Sequence, residues 1–204
     1  MSAGTERHGD AMQRTADCTS YSQTSVTSPI LSFSFFANAV FVGFAGWCME
    51  LFIYYQEFGR IYDCGFLLMP WCPIYAVGIY TILFCVRLYH RPPNFLQLAL
   101  ISGISITALE AVTGILFRQF GLTLWNYSRW PLSNRYISLP ASIGWSFGGA
   151  LYLSYIYPLI AKKAAACPTA ARKRYITLFF TLVIIDYIIS FSIILKNGGY
   201  HPLY

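Results

Sequence analysis

Charge is what this chain has least of. Only 11% of its 204 residues are Asp, Glu, Lys or Arg, against about a quarter in an ordinary soluble domain, so a water-facing surface cannot be built from it. Other signatures are missing too. No G-x-x-x-x-G-K-[ST] loop is present, which excludes ATP use in the P-loop manner. The six cysteines show no paired C-x-x-C spacing and no metal-ligand pattern, so neither a metal nor another cofactor is implied. In apolar segments a free Cys is usually a small packing residue; a bridge between Cys64 and Cys72 is the pairing considered. Alternating short strands are also absent, which argues against a membrane β-barrel.

What the chain does have is apolar length. Hydrophobic residues make up 56% and aromatics 18%, and five runs, 33–55, 66–86, 95–117, 137–160 and 175–195, approach or exceed the ~20 residues needed to cross a hydrocarbon core. Connections between them are too short to form a second domain. The expected fold is therefore all-α, a polytopic transmembrane helical bundle of five spans over 33–204. Residues 1–32 form a tail rich in Ser and Thr without apolar periodicity, expected to be disordered. The tail does not read as a secretory signal, because the apolar stretch begins late and is long enough to span.

Basic residues fix the expected orientation. With the N-terminus cytoplasmic, that side collects Arg7, Arg14, Arg87, Arg91, Lys162, Lys163, Arg172, Lys173 and Arg174, while the other holds only Arg60, Arg118, Arg129, Arg135 and Lys196. The positive-inside rule then places the N-terminus inside and the C-terminus outside a multi-pass cell-membrane protein. The cluster "AKKAAACPTAARKR" is read as a topogenic anchor rather than a nucleic-acid or lipid-headgroup site, and the net charge of +6 needs no partner beyond the bilayer that the apolar runs imply.

Against this apolar background three acids stand out. Glu50, Glu110 and Asp186 lie inside predicted spans, where a charged carboxylate costs roughly 2.5–3.5 kcal/mol even on the mildest insertion scale. In the expected topology all three fall towards the outer side or the centre. The same end carries the two unusual connections, "YDCGFLLMPWCPIY" and "LWNYSRWPLSNRYISLPASIGW". Gly103, Thr107, Glu110 and Gly114, spaced four, three and four, form one helical stripe. Gly43, Gly46, Trp47 and Glu50 form another, and Asp186 with Ser190 a third. Gly144 and Gly148 are expected to admit a neighbouring helix. Glu110 should then face protein, taking hydrogen bonds from Trp, Tyr, Ser or an arginine such as Arg118, Arg129 or Arg135. Trp125, Tyr127, Trp130 and Tyr136 sit where an interfacial aromatic belt belongs.

Together, "GWCME", "GFLLMPWCPIYAVG", "LEAVTG", "WNYSRWPLSNRYISLPASIGWSFGG", "YPLI" and "IDYIIS" resemble the ABC-transporter type IV permease family from the first span to the last. Glu50, Glu110, Trp125, Tyr127, Ser128, Trp145 and Asp186 match the family pattern. Asn126 stands where the pattern has aspartate, and "PLSNRYI" is a residue shorter, with the arginine displaced to Arg135. The resemblance implies a small bacterial inner-membrane protein acting as a permease component, and the partners considered beside the bilayer are a separate ATPase subunit that would hydrolyse ATP, or further copies of the chain in a homo-oligomer. Substrate-binding residues expected on this basis are Glu50, Glu110, Asp186, Trp125, Tyr127, Ser128, Arg135 and Trp145. Two other classes fit the composition: a membrane-embedded enzyme acting on a lipid or isoprenoid, in which a buried carboxylic acid moves a proton, and a structural membrane partner.

Overall fold

The computed structural model describes residues 32–60, 67–121 and 123–197. Among them the fold is all-helical, with no strand and a single isolated bridge between Ser133 and Ser138. Residues 1–31 of the N-terminal tail and Cys64 lie outside the described residues.

Local sequence sets each helix boundary. Helix α1 (Phe33–Phe58) starts on Ser32, whose hydroxyl accepts the Phe35 N–H at 3.2 Å, satisfying one of the four donors that a helix start leaves open. It stops at Gly59, which takes a left-handed φ of 68° and returns its N–H to the Tyr55 carbonyl, a conformation glycine adopts without strain. Helix α2 (Pro73–Leu88) begins with proline at its first position, where the missing N–H has no helical partner in any case. Asn94 and Gln97 form a reciprocal capping box at the start of α3 (Phe95–Gln119).

The fourth helical stretch is not uniform. Helix α4 (Leu139–Leu151) runs into a π turn (Tyr152–Ile156) and then into α5 (Tyr157–Ala165). Pro158 explains the turn: it has no N–H to give to Ser154, and its ring crowds that carbonyl, so the ladder widens and Tyr157 N–H bonds back to Tyr152. Asn38 of α1, 0% exposed, stitches the site of the irregularity. Its amide donates to the Tyr157 carbonyl at 3.3 Å, and its Oδ1 accepts the Tyr152 hydroxyl at 2.9 Å. Helix α6 (Thr169–Asn197) completes the bundle.

Two expectations about spans need revision. The helix of the second expected span, 66–86, begins only at Pro73. Residues 67–72 are irregular and α2 has 16 residues, about 24 Å of helix, because Pro70 and Pro73 interrupt the run and the freed backbone finds other partners. Met69 and Leu68 donate to the Asp186 carboxylate, and Cys72 N–H donates to the Gly43 carbonyl at 3.0 Å. Such non-helical backbone is tolerated at membrane depth only when its polar groups are satisfied within the protein. The fourth expected span is a helix broken by the π turn. Among the described residues three helices, over Phe33–Gln56, Phe95–Gln119 and Thr169–Ile193, are long and apolar enough to cross a membrane, and α2 is a shorter apolar helix.

Packing follows small residues. Helices α3 and α4 form the most intimate pair: Gly103 lies under Ser146, Gly149 under Ser102, and Thr107 donates to the Ser142 hydroxyl at 2.7 Å. Gly144 and Gly148, expected to receive a neighbour, have nothing within 4 Å of where a Cβ would sit; the close approach is made one residue on, at Gly149. On α1, Gly43 and Gly46 admit the rings of Trp71 and Tyr75 rather than a helix backbone. Ile79, Ile82 and Leu83 of α2 pack against Tyr152, Leu153 and Tyr157 to form the core.

This arrangement makes a contrast among glycines measurable. A Cβ on Gly43 would collide with the Trp71 indole, whose N–H donates to the Ala39 carbonyl at 3.2 Å. Gly43→Ala is expected to lower stability by about 1–3 kcal/mol through overpacking, and to alter tryptophan emission as the ring shifts. Gly148→Ala meets no atom and should be neutral or slightly stabilising, by up to ~1 kcal/mol, because alanine is the better helix former. Thermal unfolding of the detergent-solubilised variants checks the difference. Equal midpoints would refute the role given to Gly43.

Candidate functional site

The sequence places Glu110 in the third turn from the end of an apolar helix, and the fold converts that position into a buried hydrogen-bond acceptor. Glu110 is 5% exposed. Its Oε1 accepts the Trp145 indole N–H from α4 and the Tyr127 hydroxyl from the α3–α4 connection, each at 3.0 Å. Oε2 is buried without a hydrogen-bond partner among the described residues. Gly114, one turn further along the α3 stripe, lies against Tyr136 and Trp125, so the connection can fold down over the helix end. The stripe expected from spacing is therefore real, and each of its four residues meets α4 or the connection.

Turn chemistry shapes the connection that delivers Tyr127. Asn126 Oδ1 accepts the Ser128 N–H at 3.1 Å, and Asn134 Oδ1 accepts both the Tyr136 and Ile137 N–H groups, local bonds of the kind that make Asn a turn former. Trp125 donates its indole N–H to the Tyr136 carbonyl at 3.0 Å, tying the two arms of the loop. Burial, and then the Glu110 carboxylate beside it, raise the Tyr127 hydroxyl above its ordinary pKa, so Tyr127 remains a donor. Trp130 packs edge-on against Tyr127 at 5.9 Å. Arg135 contributes its carbonyl, which accepts the Tyr127 N–H at 3.3 Å, while its side chain is exposed, as are those of Arg118 and Arg129. The bonds to Glu110 come from neutral Tyr and Trp donors. Ser128 is exposed beside Asn126.

Glu50 joins the same network from the α1 side. The Cys72 thiol donates to Glu50 Oε2 at 3.4 Å, and the Tyr75 hydroxyl is hydrogen-bonded to the same carboxylate. The Tyr75 ring packs edge-on against Trp145 at 5.5 Å, and Tyr127 interacts electrostatically with Glu50 and Tyr54 as well as Glu110. A continuous chain thus runs from Cys72 through Glu50, Tyr75 and Trp145 to Glu110 and Tyr127. The Cys72 sulfur is a thiol engaged with Glu50, and Cys64, the other half of the bridge considered, lies outside the described residues.

Asp186 occupies a different setting. Its Oδ1 accepts the Leu68 N–H and the Ser190 hydroxyl, both at 3.0 Å, and its Oδ2 accepts the Met69 N–H at 2.8 Å. It holds the irregular segment that leads to Cys72, whose thiol bonds to Glu50. Sequence reasoning does not single out Tyr75, Cys72 or Ser142 as members of a site. Tyr75 and Cys72 lie in the quoted lead-in "WCPIY", but nothing in their spacing marks them as partners of Glu50.

Comparison with known families matches residues 35–191 to the family described as "Putative ABC-transporter type IV". The chain belongs to the ABC-transporter type IV family. No curated protein and no solved structure matches it. The family match covers every residue of the network above, and the three apolar helices together with this membership identify a membrane protein. Asn126, where the resemblance leads one to expect aspartate, supplies an acceptor oxygen for the Ser128 N–H.

Proposed function

We propose that the protein is a transport component, a permease subunit whose substrate contacts the network of Glu50, Tyr75, Trp145, Glu110 and Tyr127 in the outer half of the bundle. One observation carries this reading: a carboxyl group is buried among apolar helices, with one oxygen held by two neutral donors and the other left without a partner among the described residues. Intramembrane ionisable groups of this sort commonly line a substrate or ion path. Asp186 acts as a positioning residue for the segment that carries Cys72, and Trp125, Ser128 and Arg135 shape the rim. Energy is supplied by an ATPase on another chain, since this one has no P-loop.

The proposal includes five crossings, with α2 and its irregular lead-in together making the second and the π-broken stretch making the fourth. The N-terminus and the basic loop around Cys167 then face the cytoplasm, and the α3–α4 connection faces outward. Single-cysteine proteins test this directly. Cys167 should react with a membrane-impermeant maleimide only after permeabilisation, whereas a cysteine placed at Ser128 should react in intact cells. The opposite pattern would reverse the topology.

The partner is testable as well. Affinity-tagged protein isolated from its native membrane in mild detergent should carry an ATPase subunit, and transport by vesicles should stop when ATP is withdrawn. Undiminished transport without ATP would overturn the coupling.

A further inference from the structure

When ionised, Glu110 carries a charge that neither of its hydrogen-bond donors answers. It is 5% exposed, and both of its donors, the Tyr127 hydroxyl and the Trp145 indole N–H, are neutral and fall on the same oxygen. The other oxygen is buried with no partner among the described residues. Arg60, Arg118, Arg129 and Arg135 at this end are exposed. Leaving an ionised carboxylate out of water without a counter-charge is strongly unfavourable, and an idle buried acceptor adds to that penalty. A ligand that brings both a positive charge and an N–H donor removes both penalties at once.

The surroundings narrow the class of that ligand. Aromatic side chains flank the carboxyl: Tyr127 and Trp145 touch it, and Tyr75 packs on Trp145 at 5.5 Å. A second carboxylate, Glu50, engages Tyr75 from the other side. Carboxylates combined with aromatic rings are the chemistry that recognises organic ammonium groups. A hard metal ion would need several oxygen ligands, and no group of three or more His, Cys, Asp or Glu among the described residues could hold one. A quaternary ammonium has no N–H to offer to Oε2.

We propose that the ligand of this site is a protonated amine with an apolar body, its N–H donated to Glu110 Oε2 and its apolar part lying against the Tyr and Trp side chains. This rests on the reading of the network as the substrate site. The test uses the purified full chain in detergent, with benzylammonium as probe and benzyl alcohol, benzoate and benzyltrimethylammonium as comparisons, read by titration calorimetry and by the thermal midpoint. Benzylammonium should bind saturably and raise the midpoint. Binding should fall at least tenfold for each comparison compound, and at least tenfold in a Glu110→Gln protein whose own midpoint is close to the parent's.

Several outcomes overturn the proposal: no saturable binding of benzylammonium, equal binding of benzyl alcohol or of benzyltrimethylammonium, or binding that Glu110→Gln leaves unchanged. A midpoint that depends on pH through Glu110 but ignores benzylammonium would assign the site to a proton alone and also overturn it. None of these touches the site itself while Glu110→Gln still fails to restore the function of a deletion strain. Full restoration by Glu110→Gln would remove the site, and the amine with it.

Discussion

Replacing Asp186 by leucine should be the most destabilising single change outside the core. The side chain is 7% exposed and accepts the Leu68 and Met69 N–H groups and the Ser190 hydroxyl. Leucine has the same branching and number of heavy atoms and prefers an apolar setting, so Asp186→Leu chiefly removes the hydrogen bonds. Two backbone donors are left with no acceptor, at about 1–3 kcal/mol each, and the total loss should be roughly 3–5 kcal/mol once the hydroxyl is included. Asp186→Asn should fall between, because one oxygen is kept while the new amide N–H faces a backbone N–H. Thermal unfolding of the solubilised proteins gives the order. If Asp186→Leu unfolds at the parent's temperature, residues 67–72 are held by some other contact.

The second large effect concerns activity instead of stability. In Glu110→Gln the amide oxygen can take the place of Oε1 and keep both the Tyr127 and Trp145 bonds, so stability should change by less than about 1 kcal/mol. The negative charge is gone, however, and an amide NH2 stands where Oε2 was. Complementation of a deletion strain should drop at least tenfold, a change of about 1.4 kcal/mol or more in the energetics of the limiting step. Glu110→Ala should be worse on both counts, since it strands the Tyr127 hydroxyl and the Trp145 N–H and forfeits roughly 3 kcal/mol of stability. A fully active Glu110→Gln protein would reduce the residue to packing and hydrogen bonding.

Periodicity alone makes the α3 stripe readable in the sequence. Side chains three and four residues apart share a helix face, and Gly103, Thr107, Glu110 and Gly114 do meet Ser146, Ser142, Trp145 and the loop aromatics. The burial of Glu110 by Trp and Tyr is legible for the same reason. Arginine as a partner is not borne out: Arg118, Arg129 and Arg135 are exposed, because the local bonds of Asn126 and Asn134 direct the loop so that Tyr127, not an arginine, reaches down. An alternation count cannot see such turn chemistry. Tyr127, expected only as a member of an aromatic belt, also donates its hydroxyl to Glu110.

Other features are beyond periodicity. The glycine pair Gly144 and Gly148 looks like a helix contact, yet the α3 approach uses Gly149, because one-residue offsets in a helix turn the face by about 100°. The shortened α2 can be suspected from Pro70 and Pro73, but its stabilisation depends on Asp186, far along the chain in α6. Asn38 carries no signal of its own inside an apolar run. Its value lies in the defect at Pro158, which no local pattern connects to it.

That defect has a consequence for how one helical stretch serves two neighbours. A π turn inserts the equivalent of one extra residue, so the faces above and below it are rotated relative to each other by about 100°. Above the turn, α4 presents Ser142, Trp145, Ser146 and Gly149 to α3; below it, α5 lies against α1, where Asn38 bonds to the Tyr157 carbonyl and Ser34 to that of Ala161. An uninterrupted helix would carry a single stripe and would have to choose one partner along its length. By changing phase at Pro158, the same rod keeps its polar half turned towards Glu110 and its other half turned towards the first helix, so the two ends of the bundle are free to be specified by different sequences.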